Sequence, residues 1–82
     1  MIDDKNKTIG GVQLSPKQYK LAKYIIERPN ELITCEDIID SIWGKDALVK
    51  KSIIYVHLSY IKRKIPNLPI RTRSGFGFIY EP

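Results

Sequence analysis

Residues 51–65, KSIIYVHLSYIKRKI, constrain the fold more than any other stretch of this 82-residue chain. Ile54, Leu58, Ile61 and Ile65 recur at i, i+4, i+7 and i+11, which winds them into one narrow apolar stripe. The spacing predicts a helix from Lys51 to Ile65, stopped by Pro66. At about 100° per residue, the opposite line of that helix carries Ser52, Val56, Ser59 and Arg63. Ile53 and Tyr60 flank this line on one side and Tyr55 on the other, and no acid interrupts it.

The charge distribution sharpens the picture. Residues 1–49 hold seven basic and eight acidic side chains, whereas residues 50–82 hold seven basic and one acidic, Glu81. A half this basic fits a polyanionic partner or, more plainly, a solvated basic face. The rest of the composition narrows the class. A 43% apolar fraction, with five Tyr, two Phe and one Trp, supports a small core and not a disordered tail. A chain of this size makes one domain of modest stability. One cysteine and one histidine supply neither an internal disulfide nor metal-ligand spacing. No apolar run is long enough to span a membrane, and MIDDKNK does not read as a secretory signal, so no membrane contact is expected and the cytoplasm is the default location.

Two helices precede the third. Ser15 and Pro16 form a start signal, and Leu21, Ala22, Tyr24, Ile25 and Ile26 build an apolar stripe ending near Arg28, before Pro29-Asn30. Thr34 with Asp37 makes a capping-box pattern for the second helix. There Ile38, Ile39, Ile42 and Trp43 are expected to be buried, with Gly44 just past the end. Cys35 falls in its first turn, where the helix dipole lowers a thiol pKa, but no base accompanies it and it reads as structural. Residues 1–7 lack pattern and are expected to be a frayed, disordered end, leaving 8–82 as the domain. Thr8 to Leu14 reads as a short hairpin around Gly10-Gly11. At the other end, Ile70 to Arg73 and Phe76 to Tyr80 read as two strands joined at Ser74-Gly75, with Phe78 and Tyr80 on one face.

The expected fold is therefore α+β: a winged helix-turn-helix of three helices with a short N-terminal hairpin and a C-terminal β-hairpin wing. On such a frame the third helix suits the major groove of double-stranded DNA. Ser52, Ile53, Val56, Ser59, Tyr60 and Arg63 are candidates to meet bases, since small side chains allow close approach and apolar ones meet thymine methyls. Lys62 and Lys64 lie where phosphates run. The rival readings are a protein-interaction module on the same fold, to which Ile53, Tyr55 and Tyr60 are equally suited, and an enzyme. The enzyme lacks a carboxylate pair, a nucleophile–base set or a phosphate-cradling loop. No catalytic residue, metal or cofactor is therefore assigned.

Three motifs in order also resemble one family. LSPKQY at 14–19 through Ile42-Trp43-Gly44, VHLSYIKRKI at 56–65 and IRTRSGFGF at 70–78 are similar to the OmpR/PhoB-type effector domain of response regulators. The resemblance implies sequence-specific DNA binding for transcription regulation, with the wing at the minor groove. It implies base or nearby backbone contacts for Ser52, Ile53, Val56, Ser59 and Tyr60, and phosphate contacts for Trp43, His57, Lys62 and Thr72. Lys50, Lys51, Lys64, Arg71 and Arg73 complete the backbone and wing candidates, and the Lys45–Lys50 loop becomes a candidate RNA polymerase contact. Homodimeric or tandem binding is expected. The chain departs from the pattern at several points: Ser74 replaces the wing arginine, with Arg73 shifted to the opposite strand face, and Tyr55 and Tyr60 replace an Asp and an Arg. The usual four-stranded N-terminal sheet is expected to shrink to one hairpin. No receiver domain is expected from these residues, and a separated effector domain or a stand-alone protein is expected instead.

Overall fold

The computed structural model describes residues 1–82. Helix α1 spans Pro16–Ile26. Ser15 Oγ accepts from the Gln18 N–H at 3.3 Å, and the Gln18 side chain accepts from the Ser15 N–H at 3.2 Å, so both orphan donors are satisfied. The helix stops at Ile26, two residues short of expectation, with Glu27 as its cap and Arg28 just before Pro29, a position that disfavours helical backbone. Asn30 completes the turn with a φ of 62°.

Helix α2, Cys35–Ile38, starts on the predicted capping box, with the Asp37 N–H donating to Thr34 Oγ1 at 3.1 Å. Its continuation differs from expectation. Residues Ile39–Trp43 form a wider π turn, closed by the Gly44 N–H donating to the Ile39 carbonyl at 2.9 Å. The widening spreads the intended apolar stripe around the axis. Ile38 is fully buried, while Ile39, Ile42 and Trp43 are only partly covered. Helix α3 spans Lys51–Lys64 and turns Ile54, Leu58 and Ile61 into the core, with Ile65 half-buried behind them.

Two small sheets flank the helices. Strands β1 (Ile2–Asp3), β2 (Thr8–Ile9) and β3 (Val12–Gln13) form one antiparallel sheet. The frayed end expected at residues 1–7 is corrected here, as is the single hairpin: Ile2 pairs with Ile9, and a third strand results. Asp4 supplies the physical reason. Its carboxylate takes the Tyr19 hydroxyl and the Lys23 ammonium, the latter at 2.9 Å, tying the segment to α1. Those two donors, Tyr19 first, hold the Asp4 carboxyl below its ordinary range, while burial and then Asp4 push the Tyr19 hydroxyl up to about 12.

Strands β4 (Ile70–Arg73) and β5 (Gly77–Tyr80) form the C-terminal hairpin. Its turn takes three residues, Ser74 to Phe76, so Phe76 is an exposed tip residue instead of the start of the strand. Phe78 is fully buried and exchanges two 2.8 Å backbone hydrogen bonds with Ile33, adding a third strand residue from the α1–α2 connection. Gly77 makes this approach possible. A Cβ there would overlap the Ile33 carbonyl and lie 2.9 Å from Thr34 Cα.

Candidate nucleic-acid interface

The inner stripe of α3 leaves a full outer face to solvent. Ser52, Ile53, Val56, Ser59, Tyr60, Lys62 and Arg63 are all exposed, with Val56 at 50%. None of these side chains makes a hydrogen bond or ion pair within the protein; Arg63 merely rests 5.6 Å above the Tyr60 ring. The six residues expected to meet bases thus share one open surface. Tyr55 departs from that face: its ring meets Phe78 edge-on at 5.1 Å and couples α3 to the wing.

The flanking cations are held unevenly. Lys50 is exposed at the N-cap of α3. Lys51 pairs with Glu36 of α2 at 2.6 Å, so one carboxylate does reach this end of the face. The pairing holds the Glu36 carboxyl below, and the Lys51 ammonium above, their ordinary values. Lys64 turns back to α1, donating to Gln18 Oε1 at 3.1 Å. Arg71, Thr72 and Arg73 are exposed on the wing, with Arg71 and Arg73 each 3.4 Å from Glu81.

Trp43 and His57 meet beside the helix. Their rings lie 5.7 Å apart, and the Lys17 ammonium stands 5.0 Å from the Trp43 ring while donating to the Ile42 carbonyl at 3.3 Å. His57 Nδ1 is buried and has no hydrogen-bond partner. Burial, then Lys17, pushes the imidazole pKa below its ordinary value, so the ring is a neutral group at physiological pH. Cys35 is buried, and that burial, then Glu36, pushes its thiol up, opposite to the lowering expected at a helix start.

Sequence reasoning missed three contributors. Gln18 joins α1 to α3, Ile33 anchors the wing, and Glu81 reaches both wing arginines. Each acts across a long loop or a strand register, where local periodicity carries no signal.

Comparison with known proteins agrees with this geometry. The family described as "Transcriptional regulatory protein, C terminal" matches residues 8–80. Among curated relatives, the transcriptional regulatory protein YkoG of Bacillus subtilis is 32% identical over 72 residues, covering 82% of this chain and 31% of that protein. The response regulator PmrA of Pseudomonas aeruginosa is 30% identical over 67 residues, covering 82% of this chain and 30% of that protein. The chain therefore spans about a third of the length of such relatives. Among solved structures, the DNA-binding domain of Bacillus subtilis CssR superposes with a TM-score of 0.78 at 26% identity, covering 83% of this chain and 77% of that one. The Klebsiella pneumoniae RstA DNA-binding domain, solved with the RstA box, shares the fold at a TM-score of 0.79 and 19% identity, covering 99% of this chain and 89% of that one. A winged helix-turn-helix with these motifs, matched over residues 8–80, belongs to the OmpR/PhoB-type C-terminal domain family of transcriptional regulatory proteins.

Proposed function

We propose that this chain binds double-stranded DNA in a sequence-specific way for transcription regulation, with α3 in the major groove and the wing at the minor groove and backbone. The observation that carries it is the outer face of α3, open to solvent, free of acids of its own and without internal polar partners, in a family of transcriptional regulators. Val56 and Ile53 offer methyl surface to thymine, while Ser52, Ser59 and Arg63 offer donors to base edges or phosphates, and Tyr60 lies beside them. Lys50, Lys62, Trp43 and His57 border this face and serve the backbone, as do Thr72, Arg71 and Arg73 on the wing. Lys51 and Lys64 contribute less, because Glu36 and Gln18 hold them at 2.6 and 3.1 Å, closer than the 3.4 Å at which Glu81 meets the wing arginines.

RNA polymerase contact through the Lys45–Lys50 loop is a further part of this proposal, supported by Leu48, whose side chain is fully exposed there. Homodimeric or tandem occupancy of repeated half-sites, action in the cytoplasm and a binding role without catalysis complete it. No helix is long and apolar enough to cross a membrane. A pure protein-interaction role draws less support, since Tyr55, one of the residues that favoured it, is engaged with Phe78.

The direct test is salt dependence of affinity for a duplex selected from a random pool. Four to six phosphate contacts predict that log Kd rises by about 0.9 per contact for each decade of salt. A flat response overturns the reading.

A further inference from the structure

We propose that Glu81 is an internal stand-in for phosphate, occupying the two wing arginines until DNA displaces it. The inference rests on the DNA-binding reading above and adds a residue that tunes it. Glu81 is the only acid among residues 47–82. The hairpin register sets Arg71 opposite Ile79 and Arg73 opposite Gly77, so both arginines project from one face of β4. Beyond β5 the Glu81 N–H donates to the Pro69 carbonyl at 2.9 Å, which carries the carboxylate onto the arginines' side. Its Oε1 lies 3.4 Å from Arg71 Nε and its Oε2 lies 3.4 Å from Arg73 Nη2. One oxygen for each guanidinium is the pairing an anionic phosphate offers to two arginines.

The looseness of the arrangement matters as much as its existence. The Arg71, Arg73 and Glu81 side chains are 69%, 55% and 36% exposed, so water screens both pairs. Pairs of this kind bias two guanidinium groups without locking them, and a phosphate takes them over at small cost. A wing contact made through Arg71 or Arg73 therefore competes with Glu81. Because phosphate contacts carry no base information, the competition lowers affinity equally for every duplex and leaves sequence preference alone.

Glu81→Gln in the full 82-residue chain tests this by fluorescence anisotropy on a selected duplex and a scrambled one. The amide keeps the size of the side chain and the backbone bond to Pro69, and a thermal melt checks that the fold is unchanged. Binding is expected to tighten about threefold to tenfold on both duplexes at low salt, with the gain fading as salt rises. The slope of log Kd against log salt should steepen only slightly, because the number of phosphate contacts is unchanged and only the screened competition from the carboxylate is removed. In an Arg71→Gln/Arg73→Gln background the same change is expected to do nothing, since its partners are gone. Unchanged or weaker binding by Glu81→Gln overturns the proposal, and so does an equal gain in the Arg71→Gln/Arg73→Gln background. If the unmodified chain binds no duplex, the DNA-binding reading falls and this inference with it. If it binds with a normal salt slope and Glu81→Gln is silent, only the role of Glu81 falls.

Discussion

The outer face of α3 and the wing both present basic and polar groups, yet the protein holds them in opposite ways. On α3, Ser52, Val56, Ser59 and Arg63 stand on a helix pinned from behind by Ile54, Leu58 and Ile61, and their own side chains are unengaged. On the wing, Arg71 and Arg73 share Glu81, and the strand behind them is fastened to Ile33 by paired backbone hydrogen bonds. The helix is a rigid rod with free side chains, suited to reading base edges. The wing is an anchored ribbon with pre-paired charges, suited to a contact that any DNA backbone can satisfy.

The largest expected effect breaks the wing's anchor. Gly77→Ala forces a Cβ into the Ile33 carbonyl, and Phe78 is carried out of the core with the displaced strand. A loss of roughly 3 kcal/mol, lowering the melting temperature by more than about 10 °C, is expected in a thermal melt. A melt within a degree or two of the parent would mean that the wing is attached by something other than the Ile33 bridge.

Next in size come paired substitutions on α3. Arg63→Ala should weaken binding to selected and scrambled duplexes alike, by about 1–2 kcal/mol, since its long side chain reaches past the base edges to a phosphate. Val56→Ala should cost about 1 kcal/mol on the selected duplex only, because it removes methyl contact and no charge. Titrating both variants against both duplexes separates the roles, and matching losses on the two duplexes for both would erase the division of labour.

The smallest effect tests the seam beside the helix. The His57 pKa is depressed in the folded state, so the unfolded chain takes up a proton first as pH falls. Stability should be complete above the unfolded value of about 6.5 and decline below it, giving a lower melting temperature at pH 5 than at pH 7.5. His57→Gln should flatten that dependence. A parent whose stability is flat over this range would show that the buried Nδ1 finds a partner when protonated.

Much of this was legible along the chain. The Ser15 and Thr34 caps, the α3 stripe and the open face behind it follow from spacing alone, since a helix period of 3.6 maps sequence directly onto faces. The N-terminal strand was not legible. Two residues of β1 have no periodicity to detect, and their order comes from Asp4 meeting Tyr19 and Lys23 far along the chain. The π turn at Ile39–Trp43 was equally hidden, because one extra residue in a turn leaves composition unchanged while moving Trp43 against Lys17 and His57.

By itself, then, the amino-acid order settled where the helices begin and which side of α3 is apolar, both properties of neighbours within a few turns, and which half of the chain is basic, a matter of composition. Tertiary structure decided which of those basic groups remain free. Lys51, Lys64, Arg71 and Arg73 look alike in sequence, but chain crossings bring Glu36, Gln18 and Glu81 to them and leave Arg63 and Lys62 without an acid or amide partner. A charge's availability depends on what the fold places within a few ångströms of it, and that distance is written in no local pattern.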